Sequence, residues 1–195
     1  MGDVTGSSVT SVPLSRAEQA RRTRTRILEA ALRLFANKGY DATSLQDIAE
    51  ETGLTKQAVY YHFKGKGEIL RGIAQPARKG MADLMTRVRA LPLGPERTGT
   101  LISGVTDLLM ARRDVMLIVA QQPALRQDMH QALGSDRLVS AMIEGLFGPE
   151  PTLDQRFAVY ASAALGQGIQ ALSDAPEGVL RGVIERALRR IAEVR

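Results

Sequence analysis

Cysteine is absent from this 195-residue chain. That removes a disulfide framework, a thiolate nucleophile and any Cys-ligated zinc or iron–sulfur site. Histidine occurs only as His62 and His130, too few for a His-rich metal centre. No segment approaches the roughly 20 consecutive apolar residues of a membrane-spanning helix, so no membrane partner is expected. Sustained period-two alternation, the mark of a half-buried strand, is missing too. The opening stretch MGDVTGSSVTSVPLS has neither a basic start nor the apolar core of a secretory signal. Residues 1–15 are therefore expected to form a flexible leader, and the protein to be cytoplasmic. No nucleophile–base set, metal-ligand cluster or phosphate-binding glycine loop stands out, which argues against an enzyme and against any bound cofactor.

What the chain does have is unevenly placed. Of its eight aromatic residues, Phe35, Tyr40, Tyr60, Tyr61 and Phe63 fall within thirty positions of one another. The net charge is +5, yet residues 1–89 carry 15 basic and 9 acidic side chains while residues 90–195 carry 11 and 12. Much of the early excess comes from Arg71, Arg78, Lys79, Arg87 and Arg89. A basic half joined to a neutral one suggests a polyanion-binding module; an Arg-rich solvated helical surface would look the same on charge alone.

Helical signals run almost throughout. Ser15 and Glu18 make a capping box, followed by Ile27, Ala30, Ala31, Leu34 and Phe35 at helical spacing, and Gly39 supplies a stop. Thr43 or Ser44 can cap a second helix through about Glu51, and Thr55 a third through Phe63. Gly65 and Gly67 should interrupt the chain before a fourth helix, which Pro76 should kink or restart. Further apolar-periodic runs lie at about 96–112, 114–121, 124–146, 153–173 and 177–193. The expectation is an all-α protein with a small basic head, residues 16–70, and a larger helical body, residues 71–195.

The segment from Leu45 to Lys64 carries the sharpest pattern. Two short helices can set one of them into the major groove of DNA only if they cross tightly around a short turn. Ala49 supplies the small residue at the crossing, and Gly53, four residues later, the positive φ of the turn. Val59, six further on, anchors the second helix, while Leu45, Ile48 and Leu54 complete the core. Together these spacings specify a helix-turn-helix over about 45–64. Thr55, Lys56 and Gln57 then occupy the first turn of the second helix, the part that reaches base edges. Lys56 can donate to guanine and Gln57 can pair with adenine. Tyr60, Tyr61, His62, Lys64 and Lys66 extend toward the phosphate backbone.

These residues resemble the DNA-binding domain of TetR-family transcriptional regulators. The likeness is carried by Ile27-Leu28, Ala30-Ala31, Leu34-Phe35, Gly39-Tyr40, Thr43-Ser44, Ile48-Ala49, Gly53 to Lys56 and Val59-Tyr60-Tyr61-His62-Phe63. It covers about a quarter of the chain. It implies DNA contacts from Arg26, Thr43, Ser44, Gln46, Thr55, Lys56, Gln57, Tyr60, Tyr61, His62 and Lys66, with Phe35, Tyr40 and Phe63 left to the core. The family usually follows Phe63 with a lysine and acidic residues; here Lys64-Gly65-Lys66-Gly67-Glu68 inserts two glycines, which suggests a looser junction between head and body.

For the body, the resemblance implies a homodimer through the last two helices, about 153–193, and a pocket for a small-molecule effector. The small-residue run 157–168 and the stripe Leu180, Val183, Ile184, Ala187, Leu188 and Ile191 fit such an interface; burial within one chain would produce the same pattern. Met81, Met85, Met110 and Met116 could line an adaptable apolar pocket, or simply pack the core. Gln121, Gln122, His130, Gln167 and Gln170 are the polar groups that could orient a ligand. The implied function is repression of transcription from palindromic double-stranded DNA, relieved by an apolar ligand. A nucleoid-type protein binding DNA without sequence preference or ligand control is the alternative.

Overall fold

The structure is a computed structural model and describes residues 15–162, 168, 171–172 and 174–194. Among these, ten α-helices and no strands are found. Most of the leader and Gln167 and Gln170 lie outside the described residues.

Three helices make the head. Ser15 caps α1 (Arg16–Lys38), its hydroxyl accepting from the Glu18 amide while the Glu18 carboxylate accepts from the Ser15 amide. Hydrogen bonding from the Ser15 side chain and from the Ser15 amide holds the exposed Glu18 carboxyl below its ordinary range. Ser44 builds the same box with Asp47 at the start of α2 (Leu45–Thr52), and Thr55 caps α3 (Lys56–His62). Between α2 and α3, Gly53 sits in the left-handed region at φ 64° and ψ 28°. Its amide donates to Glu50 O and the Leu54 amide to Ala49 O, at 3.1 and 2.9 Å. This closes the α2 carbonyls in a Schellman turn, which only glycine enters without strain.

The long α4 (Lys66–Arg89) runs out of the head, and two of the expected breaks in it do not occur. Gly67 lies inside its first turn, and Pro76 lies within an unbroken helix. A proline in mid-helix removes one amide and crowds the carbonyls a turn back. Arg112 Nη2 donates to the carbonyl of Ile73 in that turn, at 3.3 Å. Nor is the junction loose: Lys64 N donates to Glu68 Oε2 at 2.7 Å, and Lys66 Nζ to the carbonyls of Tyr40 and Asp41 at 2.7 and 3.2 Å.

The body continues with α5 (Pro95–Ala111), α6 (Arg113–Ala120), α7 (Pro123–Leu133), α8 (Ser135–Phe147), α9 (Leu153–Ser162) and α10 (Glu177–Ala192). Helices α4 and α5 approach closely because Gly104 faces the buried side chain of Leu84 and Gly80 faces Leu108; a methyl at either glycine would overlap that leucine. Two hydrophobic cores result. One joins Phe35, Ile48, Val59 and Phe63 of the head to Ile73 of α4, Val115 of α6 and Leu125 and Met129 of α7. The other packs Leu84 and Val88 of α4 against Leu101 and Val105 of α5 and Leu180, Ile184 and Leu188 of α10. The last three belonged to the expected dimer stripe. They are spent inside the monomer, because α10 lies along α5. No helix among the described residues is long and apolar enough to cross a membrane, and they hold no cluster of three or more His, Cys, Asp or Glu suited to a metal.

Candidate functional site

The head is stiffened by α1. Arg26 Nη2 donates to the Thr52 carbonyl at 2.6 Å, closing the C-terminus of α2. Arg33 pairs with Glu51 at 3.2 Å and Lys38 with Asp47 at 2.7 Å. The hydrogen bonds from Lys38 and Ser44 hold the Asp47 carboxyl far below the usual carboxylate range. The Arg24 guanidinium lies 4.6 Å from the centre of the Phe63 ring. Several of the early basic side chains thus hold the head together.

On this frame α3 buries Val59 and turns its other side outward. Thr55, Lys56 and Gln57 are exposed in its first turn, as the helix-turn-helix spacing requires. Tyr60 and Tyr61 are 49% and 78% exposed, against 0% for Val59 and 1% for Phe63. Lys64 Nζ lies 5.2 Å from the Tyr60 ring centre, and His62, half-buried, meets Tyr61 edge to face at 5.3 Å. Ser44 and Gln46 are exposed at the start of α2, the Gln46 amide donating to Glu50.

Three of the expected contact residues are placed otherwise. Thr43 is only 2% exposed, and its hydroxyl donates to the Gly39 carbonyl at 2.7 Å, because the α1–α2 turn folds it inward. Arg26 is engaged at the end of α2. Lys66 is held at the Tyr40 turn, its ammonium also 4.5 Å from the Tyr40 ring centre.

In the body, a cavity of about 330 Å³ lies between α4, α5, α6, α7 and the start of α8. That is the size of a small-ligand pocket. Met81, Met116 and His130 line it as expected, with Val105, Leu109 and Met129. Its charged residues are Arg112 and Arg126. Met85 and Met110 do not line it: Met85 packs in the second core and Met110 against its edge. Gln121 is exposed at the C-terminal end of α6 and does not line the cavity.

Its neighbour Gln122 has a role the sequence did not reveal. From the α6–α7 turn its side chain reaches the head, accepting from the Tyr40 amide at 2.9 Å and donating to the Phe35 carbonyl. Burial, and the Asp128 carboxylate of α7 beside it, push the Tyr40 hydroxyl up to about 12. Helix α7 therefore touches the head through Gln122, Leu125 and Asp128 and the cavity through Arg126 and His130. A glutamine at a turn carries no sequence signal for a partner more than eighty residues away.

The geometry defines a helix-turn-helix head fused to a helical body that encloses an apolar cavity. Residues 27–73 match the profile of the bacterial regulatory proteins of the tetR family, so the head is similar to the DNA-binding domain of that family. It is 37% identical over 73 residues to the transcriptional regulator AcrR of Shigella flexneri, covering 37% of this chain and 34% of AcrR. The chain thus matches about a third of that relative's length. Likeness in fold extends much further. NalD, the secondary repressor of the MexAB-OprM multidrug efflux pump in Pseudomonas aeruginosa, is 25% identical with a TM-score of 0.66 over 89% of this chain and 96% of NalD. FadR from Bacillus subtilis, in complex with stearoyl-CoA, is 17% identical with a TM-score of 0.65 over 87% and 97%.

Proposed function

We propose that this chain is a ligand-controlled transcriptional repressor that binds palindromic operator DNA as a homodimer. The observation that carries this is the outward first turn of α3. Thr55, Lys56 and Gln57 stand exposed on a helix whose opposite side is locked in a core, as an element entering the major groove must be. Lys56 and Gln57 read bases; Tyr60, Tyr61, His62 and the exposed Ser44 and Gln46 meet phosphates. Arg26 and Lys66 serve the head's own structure, which orients α3. The body, residues 71–195, supplies dimerisation and effector binding. The exposed apolar residues Leu153, Phe157, Tyr160 and Val179 on the last two helices support a dimer there.

Release follows as a population shift. An apolar ligand in the cavity favours one arrangement of α7 against the others, and α7 holds the head through Gln122 and Leu125. The two heads then depart from the spacing of roughly 34–36 Å that successive major grooves require. Fluorescence anisotropy on selected operator DNA tests the base-reading assignment. Lys56→Ala and Gln57→Ala should each lose about 1–3 kcal/mol of discrimination at one base pair. Unchanged sequence preference in both variants would contradict it.

A further inference from the structure

The cavity in the body carries charge of one sign. Arg112, at the corner between α5 and α6, and Arg126, on α7, belong to its wall, and no Asp or Glu among the described residues does. The neighbouring carboxylates stand elsewhere. Asp107 pairs with Arg181 at 2.6 Å, Asp114 is exposed at the start of α6, and Asp128 lies beside the Tyr40 hydroxyl. Asp136 lies 3.9 Å from His130 Nε2, outside the wall. Between Arg156 and Asp174 the sequence contains no charged residue at all. Arg112 is half-buried, donates to the Ile73 carbonyl at 3.3 Å and enters no ion pair among the described residues. That carbonyl is neutral, so it leaves the guanidinium charge uncancelled. Arg126 and His130, one turn apart on α7, are exposed and also line the cavity, which places them at its rim. Apart from Ser135, the rest of the wall is apolar.

We infer that the cavity takes a compact organic acid, its apolar body among Met81, Val105, Met116 and Met129 and its single carboxylate against Arg112 and Arg126. A guanidinium matches the two oxygens of a carboxylate and keeps its charge at every physiological pH. A neutral ligand would strip water from the half-buried Arg112 and return no acceptor for it. An organic cation would add like charge to a wall that holds no acid. The volume of about 330 Å³ is at the lower end for small-molecule sites, so the body is small. Methionine side chains adapt to a rigid ring and make favourable contacts with its edge. The inference rests on the effector site proposed above and gives its apolar ligand a charge.

The test is isothermal titration calorimetry on the full chain without DNA, with three probes that share one body and differ in charge at neutral pH. These are biphenyl-4-carboxylate, biphenyl-4-carboxamide and 4-phenylbenzylamine. The carboxylate should bind about tenfold or more tighter than the carboxamide, and the amine weaker than either. Arg126→Gln should lower the carboxylate-to-carboxamide ratio about threefold or more, and Arg112→Gln/Arg126→Gln should bring it to about one. Arg126 is exposed, so its single variant decides the matter if the double variant does not fold. A carboxamide that matches the carboxylate, or an amine that binds best, would overturn the charge assignment and leave the effector site standing. A ratio unchanged by the substitutions would overturn it as well. Release of selected operator DNA is scored separately. Arginine-dependent preference for the carboxylate without release upholds the acid site and contradicts ligand control. Absence of binding by all three probes would overturn the acid site, while release by any other ligand would still uphold control.

Discussion

Asp47 illustrates how one side chain can settle local geometry. Its carboxylate accepts from the Ser44 amide and hydroxyl and from Lys38 Nζ, each at 2.7 Å. It thereby caps α2 and ties α2 to α1. Because its folded pKa is depressed, its contribution to stability is full above the unfolded carboxylate value of about 3.9. That contribution is lost as pH falls through the lower folded value. Asp47→Asn should therefore melt below the parent protein at pH 7, and the gap should shrink as pH drops under about 4. Melting followed by circular dichroism across that range checks this; a constant gap would contradict it. The capping boxes themselves were legible in the sequence, since Ser-x-x-Glu and Ser-x-x-Asp are local patterns. Thr43, Arg26 and Lys66, expected at DNA, each also bond a carbonyl within the head. Each is claimed by a carbonyl distant in sequence or hidden in a turn, which residue type and spacing cannot show.

At the scale of the element, α7 and the turn before it connect the body to the head. Gln122 satisfies the Tyr40 amide and the Phe35 carbonyl at the point where the head would otherwise expose both. Gln122→Ala leaves these partly buried groups without their partner and should cost about 1–3 kcal/mol in urea unfolding. No change in midpoint would mean that the head is held by Leu125 and Met129 alone. Helix existence and most boundaries could be read from caps, glycine stops and periodicity. Pro76 and Gly67 could not be placed correctly in that way. Both are unfavourable within a helix by local preference, but α4 packs Ile69, Leu70 and Ile73 into one core and Leu84 and Val88 into the other. Packing along the whole helix outweighs the two local defects.

At the scale of the whole molecule, exposed apolar side chains among the described residues recur on its last helices. Phe157 is 75% exposed, and Tyr160, Leu153 and Val179 are exposed beside it in the same pair of helices, while Leu180, Ile184 and Leu188 face inward. Periodicity alone gave α10 one stripe and could not divide it between the monomer core and a partner. Phe157→Glu should convert the proposed dimer to monomer in light scattering and weaken operator binding, with the fold kept, since Phe157 is 75% exposed. A dimer that persists would move the interface elsewhere.

The central claim is sequence-specific DNA binding by α3. It is tested most directly by titrating the parent protein against a selected palindrome and a scrambled duplex of equal length, at several salt concentrations. The palindrome should bind about a thousandfold or more tighter than the scrambled duplex at physiological salt. Equal affinities for the two duplexes, falling together with salt, would contradict it and leave only backbone binding.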